Sequence, residues 1–92
     1  MYKIFYTNRM KKDVKRAEKR GKDISKLIQA LDLLKTGKSM PQKFCDHQLT
    51  GNLKEFRECH IEPNWLLIYQ IKKDKLILVA VATGTHSDLL DF

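Results

Sequence analysis

The sequence lacks any apolar run long enough to cross a membrane. Its 92 residues contain no stretch of about 18 consecutive apolar residues, the length that suggests a transmembrane helix. The first residues, Met1–Tyr6, also lack the basic segment, apolar segment and small-residue cleavage site of a signal peptide. We therefore expect a cytoplasmic protein with no membrane partner.

Cysteine is scarce. Cys45 and Cys59 are the only two, and neither forms the CxxC or His-x-x-Cys spacing that suggests a zinc site. A reducing compartment argues against a disulfide between them. We therefore expect neither cysteine to take part in function, and we expect no metal and no cofactor.

Internal repeats, linkers and low-complexity segments are also absent, so residues 1–92 are expected to form a single domain. A composition of 42% hydrophobic and 32% charged residues is ordinary for a globular protein. A chain of this length supports one modest core, which a sheet with a helical layer would fill.

Positive charge is in excess and unevenly placed. The formal net charge is +7, and one short stretch holds eight basic and two acidic residues. These are Arg9, Lys11, Lys12, Lys15, Arg16, Lys19, Arg20 and Lys22 against Asp13 and Glu18. Such a stretch is typical of a protein that binds a nucleic-acid backbone, and Lys15, Lys19 and Arg20 are its candidate contacts. The alternative is a well-solvated helix face.

The first half of the chain reads as a strand followed by two helices. Alternation over 2–6 predicts the strand, and Thr7 and Asn8 offer caps for a helix that Gly21 ends. Asp23 is expected to cap the second helix, which ends before Gly37. Their apolar positions are Met10, Val14 and Ala17 in the first helix, and Ile24, Leu27, Ile28, Leu31 and Leu34 in the second.

The second half reads as a loop and three strands. Pro41 makes a helix unfavourable in Lys38–Asn52, which we interpret as a loop that carries His47. The expected strands are Leu53–Ile61, Trp65–Ile71 and Leu76–Thr83, and the last two form an antiparallel hairpin. The order βααβββ predicts an α+β fold in which a helical hairpin packs on one face of the sheet. The other face is expected to be a partly open concave surface with the histidines around it.

All three histidines lie in this second half, each in a compact polar motif. The motifs are Asp46-His47-Gln48, Glu58-Cys59-His60-Ile61-Glu62-Pro63 and Thr83-Gly84-Thr85-His86-Ser87-Asp88. Imidazole is the side chain best suited to move protons at neutral pH. Together with the basic stretch, the motifs favour acid–base chemistry on a polyanion, with RNA as the leading candidate.

Four separated segments resemble the YafQ branch of the RelE/ParE toxin superfamily, in the same order and at similar spacing over essentially the whole chain. They are Lys12-Asp13-Val14-Lys15 with Lys19-Arg20-Gly21-Lys22-Asp23, Asp46-His47-Gln48-Leu49-Thr50-Gly51, the run from Phe56 to Tyr69, and Thr83-Gly84-Thr85-His86-Ser87-Asp88-Leu89. The resemblance implies a RelE-like fold and a mainly antiparallel sheet.

The resemblance also implies a function. Members of this family are toxins of type II toxin–antitoxin modules that cut messenger RNA in the A site of the 70S ribosome. They work without a metal, by attack of the ribose 2′-OH on the adjacent phosphate. The implied partners are a cognate antitoxin protein, the ribosome with its mRNA, and operator DNA bound only through the antitoxin complex.

Carried over to this sequence, the family's three motif histidines fall on His47, His60 and His86. We expect His60 and His86 to transfer protons and His47 to position or neutralise the phosphate. Asn64 stands where the family usually has an aspartate; it can orient a base but cannot accept a proton as a carboxylate does.

Ala82 stands where the resemblance implies an arginine that clamps the phosphate. Loss of one such electrostatic donor commonly costs on the order of 10²–10³ in rate. Ala82 is either natural, which gives an attenuated or differently armed enzyme, or a substitution that allows a lethal protein to be expressed. Arg57 is expected either to compensate as a substrate contact or to form a structural ion pair.

Two aromatic residues are candidate RNA contacts. Trp65 follows the turn beside the expected site and would either stack on a base or belong to the core. Phe92 is a weaker match, since the family's phenylalanine comes sooner after the last leucine of the tail. Tyr69, inside a central strand, is expected in the core.

Two other functions stay open. A ParE-like or catalytically impaired relative would act by binding a protein. The three histidine motifs favour the ribonuclease over a ParE-like chain, whereas Ala82 and Asn64 leave the impaired version open. A plain basic RNA-binding domain would bind RNA without cutting it.

Overall fold

Two helices pack on one face of a five-stranded sheet in a computed structural model that describes residues 1–92. The strands are β1 (Lys3–Tyr6), β2 (His47–Gln48), β3 (Arg57–Glu62), β4 (Trp65–Lys72) and β5 (Ile77–Gly84), and the helices are α1 (Asn8–Lys19) and α2 (Ile24–Lys35). The spatial order is β1-β5-β4-β3-β2, with β1 parallel to β5 and every other pair antiparallel. The predicted α+β fold, its helical hairpin and its mainly antiparallel sheet are confirmed.

Helix boundaries follow the predicted caps. The Thr7 side chain accepts a hydrogen bond from the Met10 amide at 2.9 Å, which caps α1. Its hydroxyl donates to the carbonyl of Val81 at 2.6 Å, which ties the start of α1 to β5. Asp23 caps α2 by accepting from the Ser25 amide at 3.0 Å. No helix is long and apolar enough to span a membrane.

The main core lies between the helices and the sheet. Its 13 buried residues are Met10, Ala17, Leu27, Ala30, Leu31, Leu34, Phe44, Cys59, Trp65, Leu67, Tyr69, Leu78 and Ala80. Tyr69 is in this core, as predicted. Trp65 is only 1% exposed and its indole donates to the hydroxyl of Thr83 at 2.9 Å. Trp65 therefore belongs to the core, which is one of its two expected places.

A second, smaller cluster covers the opposite face of the sheet. It consists of Leu66, Ile68, Ala82 and Leu89, with Leu49, Phe56, Val81 and Phe92 packed against it. The register of β4 and β5 shifts between Ile68 and Tyr69, because Tyr69 pairs with Ala80 whereas Ile68 pairs with Ala82. Val81 is the extra residue of this bulge, which turns Ala82 to the face opposite the helices. The chain after β5 covers part of the face that we predicted to be open.

Three details of the prediction are wrong. The segment predicted as a loop contains two short 3-10 helices (Gln42–Phe44 and Gly51–Leu53) and β2, so His47 lies in a strand. The next strand begins at Arg57 instead of Leu53. Ile28 is 53% exposed although it continues the apolar stripe of α2, and it lines an open groove together with Tyr6.

Candidate active site

His47, Glu58, His60 and Ala82 share the sheet face opposite the helices. Directly paired residues of neighbouring strands project to the same face. His47 pairs with Glu58, Glu58 with Ile68, and His60 with Leu66. Ile68 and Leu66 both belong to the second cluster, so the histidines lie on its side of the sheet. The bulge brings Ala82 beside Ile68 on the same face.

Glu58 is the centre of this group. Its Oε1 lies 3.6 Å from Nε2 of His47 and 4.0 Å from Nε2 of His60, which is ion-pair distance when the imidazoles are protonated. The rings of His60 and His86 approach with centroids 6.0 Å apart. The Glu58 side chain is only 16% exposed, whereas that of His47 is 50% exposed. Sequence reasoning missed Glu58, although its spacing of two from His60 already puts both on one face of a strand.

The main chain fixes the tautomer of His47. Its Nδ1 lies 2.8 Å from the carbonyl oxygen of Cys45. A carbonyl can only accept, so Nδ1 carries the hydrogen and Nε2 is the nitrogen that faces Glu58. Cys45 adopts a left-handed conformation, with φ 48°, which brings its carbonyl back toward the imidazole.

Asn64 fixes the tautomer of His86 in the same way. Its Oδ1 accepts from the His86 amide at 3.3 Å and from Nδ1 of the His86 ring at 3.0 Å. The amide N–H can only donate, which identifies the facing atom of Asn64 as oxygen. Nδ1 is therefore the protonated nitrogen, and Nε2 of His86 is left with a free lone pair.

Arg57 points away from the histidines. It pairs with Tyr69, which belongs to the core on the helix side. Its Nη2 donates to Oδ2 of Asp46 at 3.0 Å, and the hydroxyl of Tyr69 donates to Oδ1 of the same carboxylate. The hydrogen bond to Asp46 raises the pKa of Arg57. Arg57 thus forms the structural ion pair that was one of its two expected roles, on the sheet face opposite to Ala82.

Position 82 places no cation in the site. Ala82 is fully buried in the second cluster. Phe92 packs on Phe56 edge to face, with ring centroids 5.1 Å apart, beside that cluster. Phe92 therefore lies on the same face as the histidines, where its predicted contact with RNA stays a prediction.

The three candidate RNA contacts of the basic stretch fall into two groups. Arg20 donates to both oxygens of Asp88, at 2.6 and 3.2 Å, and this hydrogen-bonded pairing raises the pKa of Arg20. Its guanidinium is therefore engaged within the protein. Lys15 and Lys19 are exposed on α1, which lies on the other side of the sheet from the histidines. The structure does not bring these lysines to the site.

Possible metal ligands do not converge. No group of three or more histidine, cysteine, aspartate and glutamate side chains has the arrangement of a metal site. Cys59 is buried on the helix side, and burial raises the pKa of its thiol to about 12. Both cysteines are free thiols. The arrangement of imidazoles, a carboxylate and an amide suits proton transfer.

Known proteins are similar to this chain in sequence and in fold. A family model described as the bacterial toxin of the type II toxin–antitoxin system, YafQ, matches residues 2–91. The mRNA interferase toxin YafQ of Escherichia coli strain K12 is 42% identical over 87 residues, which cover 94% of this chain and 92% of that protein.

Two solved structures show the same architecture. The toxin chain of an E. coli DinJ–YafQ toxin–antitoxin complex matches with a TM-score of 0.88 and 41% identity, over 97% of both chains. A metal-bound toxin from Helicobacter pylori matches with a TM-score of 0.92 and 41% identity, over 98% of this chain and 100% of that one.

Proposed function

The chain belongs to the YafQ family of toxins of bacterial type II toxin–antitoxin systems, and we propose that it is an mRNA interferase, an endoribonuclease that cuts messenger RNA in the ribosomal A site and so inhibits translation. The proposal rests chiefly on one observation. His86 keeps a free Nε2, fixed by Asn64, on the sheet face that also carries His60, Glu58 and His47.

Cleavage of RNA without a metal needs a base, an acid and a positive charge. The base removes the proton of the ribose 2′-OH, and the 2′-oxygen then attacks the adjacent phosphorus. The bond from phosphorus to the 5′-oxygen breaks, and the acid donates a proton to that oxygen. The products are a cyclic 2′,3′-phosphate and a free 5′-OH.

We assign the base to His86, because Asn64 holds the proton on Nδ1 and leaves the lone pair of Nε2 for the 2′-OH. His60, whose ring centroid lies 6.0 Å from that of His86, supplies the proton to the leaving oxygen. In its protonated form it lies at ion-pair distance from Glu58. His47, the most exposed of the strand-borne members of the group, contacts the phosphate.

The activity of this chain is expected to be attenuated. Ala82 lies on the site face but offers no charge to the pentavalent transition state. A missing electrostatic donor of this kind costs on the order of 10²–10³ in rate. An arginine at position 82 would project from the same face as the histidines.

The test is in vitro translation of a defined message, with 5′ ends on the ribosome mapped by primer extension. The chain is compared with Ala82→Arg and with Ala82→Met, which adds a long side chain without charge. We expect Ala82→Arg to cut within codons faster than the unchanged chain by about 10²-fold, and Ala82→Met to give no gain. Thermal unfolding of each variant shows whether it is folded.

A second candidate function is protein binding without catalysis, and the buried alanine at the clamp position is the observation that favours it. If folded Ala82→Arg does not cut any message while an antitoxin still binds the chain, the catalytic assignment fails and this second function replaces it.

We also propose that a cognate antitoxin inhibits the chain, as the DinJ–YafQ complex suggests by analogy. An apolar groove runs between α1, α2 and the outer edge of β1, and its exposed residues include Tyr6 (47%) and Ile28 (53%). Four lysines and two acidic residues line it: Lys3, Lys11, Lys15, Lys35, Glu18 and Asp32. The groove therefore suits an acidic amphipathic segment of the antitoxin.

Binding to that groove is tested with Ile28→Asp, which places a carboxylate among its apolar residues without touching the histidines. We expect weaker antitoxin binding with unchanged mRNA cleavage. Unchanged binding would place the antitoxin elsewhere. Operator DNA is expected to bind only when the antitoxin is present.

Lys15 and Lys19 face away from the histidines, so we propose that they contact ribosomal RNA instead of the cleaved phosphate. Replacing both with glutamine should weaken binding to the 70S ribosome and flatten its salt dependence. The rate of cleavage on saturated ribosomes should stay the same. A lower rate would indicate that these lysines take part in the cleavage step.

A further inference from the structure

His86 is the one histidine of the site that no strand carries. It lies two residues beyond the end of β5, in the exposed turn that follows Gly84. A base in a turn is useful only if the turn has one conformation, because misplacing a catalytic group by about 1 Å can cost on the order of 100-fold in rate. Asn64 fixes the ring of His86, but something else must fix the turn.

Asp88 closes that turn from both ends. Its Oδ2 accepts from the Thr85 amide at 2.9 Å, and its own amide donates to Oγ1 of Thr85 at 3.1 Å. His86 and Ser87 lie between these two contacts. The reciprocal pair resembles a capping box, in which each partner satisfies a backbone group of the other.

The carboxylate of Asp88 is held in turn by α1. Arg20 donates to it with both terminal nitrogens, and Nη2 of Arg16 lies 3.8 Å from its Oδ2. Arg16 also donates to the carbonyl of Thr83 at 3.3 Å, the last residue before Gly84. The Asp88 side chain is only 14% exposed. At the end of β5, these contacts join the helix layer to the turn that carries His86 on the opposite face of the sheet.

Gly84 shows how closely the turn is packed. A Cβ built on Gly84 would lie 2.8 Å from Cβ of Asp88 and 3.0 Å from Nη2 of Arg16. Any side chain there would push the aspartate and the arginine apart. The glycine therefore allows Asp88 to lie directly against the end of β5.

We propose that Asp88 is a positioning residue for His86: held by Arg20 and Arg16, it fixes the Thr85–Asp88 turn and so aims the base at the 2′-OH. The inference rests on the proposed function, because it gives His86 the role of base. It also assigns Arg16 and Arg20, two arginines of the basic stretch, a structural role within the protein in place of RNA binding.

The test compares Asp88→Asn with Asp91→Asn, a matched control. Asp91 belongs to the same tail and also pairs with α1, through Arg9 at 2.8 Å, but it does not close the turn. Cleavage is measured in whichever version of the chain, unchanged or Ala82→Arg, cuts the message. We expect Asp88→Asn to lower kcat on the order of 10- to 100-fold with little change in KM, and the control to stay near the starting rate.

Two further measurements separate positioning from a general loss of stability. In a His86→Ala background, Asp88→Asn should cause no additional loss, because the group that it positions is already gone. Long-range proton–nitrogen NMR of the histidine rings should show His86 as one tautomer in the starting chain and as a mixture in Asp88→Asn. If Asp88→Asn does not fold, Arg20→Gln removes the clamp from a more exposed position and should shift the same signals.

An unchanged kcat, or an additional loss in the His86→Ala background, overturns the inference. If no version of the chain cuts RNA, the proposed function fails, but the NMR signals still report whether Asp88 fixes His86. A single tautomer in Asp88→Asn or Arg20→Gln then overturns the positioning role on its own.

Discussion

Oδ1 of Asn64 accepts from both the backbone amide and the ring Nδ1 of His86. One side chain thus determines where the histidine lies and which of its nitrogens is free. Both contacts need only an acceptor, so the aspartate that the family resemblance implies here would make them equally well.

Replacement of Asn64 separates orientation from charge. We expect Asn64→Ala to lower the cleavage rate on the order of 10- to 100-fold, since the ring loses its preferred tautomer and orientation. Asn64→Asp should retain the rate of the starting chain or exceed it. The cleavage rate of both variants is measured by a time course of primer extension on purified stalled ribosomes. A loss in Asn64→Asp as large as in Asn64→Ala contradicts the orienting role.

Removal of the charge of Glu58 should impair cleavage by a different route. Glu58→Gln keeps the shape of the side chain but takes away the charge partner of His47 and His60. We expect kcat to fall, because His47 and His60 lose the carboxylate that lies within 4.0 Å of a nitrogen of each ring. Glu18→Gln, on the exposed surface of α1, is the control. An unchanged kcat would exclude Glu58 from the reaction.

Stability should depend on pH through Asp88. The hydrogen bonds from Arg20 hold the pKa of this carboxyl well below its ordinary value of 3.8. A carboxyl with a depressed pKa in the folded state stabilises the fold above its unfolded pKa, and this contribution is lost as the pH falls toward the folded pKa. Urea unfolding should therefore show a deficit in Asp88→Asn at pH 6 that shrinks below pH ~4. A constant deficit would exclude this carboxylate as the cause.

The two thiols should differ sharply in reactivity. Cys45 is exposed, whereas Cys59 is buried with its pKa raised to about 12. Only a thiolate is a good nucleophile, so a disulfide reagent should label one thiol of the native protein at neutral pH and two in denaturant. Cys45→Ser should abolish the native labelling. Rapid labelling of Cys59 would mean that the main core opens readily.

Cleavage should survive the removal of transition metals. A related toxin has been crystallised with metal bound, but the acid–base mechanism proposed here uses side chains alone. We expect TPEN, which binds transition metals and leaves Mg²⁺ for the ribosome, to have no effect on the rate. Lost activity that zinc or copper restores would contradict the proposed chemistry.

Much of the fold follows from local signals. Thr7, Asp23 and Gly21 mark the helix ends, and the apolar strands 65–71 and 76–83 are near the observed β4 and β5. β2 was missed because a two-residue strand has no periodicity of its own. Its place depends on pairing with β3, which is a tertiary contact.

The site was predictable in its histidines but less so in their partners. The polar motifs and the family resemblance grouped His47, His60 and His86, but the place of Glu58 beside them depends on the strand register. The basic stretch gave no sign that Arg20 pairs with Asp88, because composition does not reveal an acidic partner 68 residues away. The position of Trp65 beside a turn suggested a contact with RNA, whereas its size and apolarity suggested burial. Its burial in the core agrees with the second signal.

The pairing of β1 with β5 has a consequence for the synthesis of this protein. Thr7 and Val81, which join the start of α1 to β5, are 74 residues apart, and β1 has no other strand partner. The helices can form while the chain is still growing, but the sheet cannot close until its last strand leaves the ribosome. His86 follows that strand. A nascent chain that has not yet exposed β5 therefore lacks both the closed sheet and the turn that carries His86.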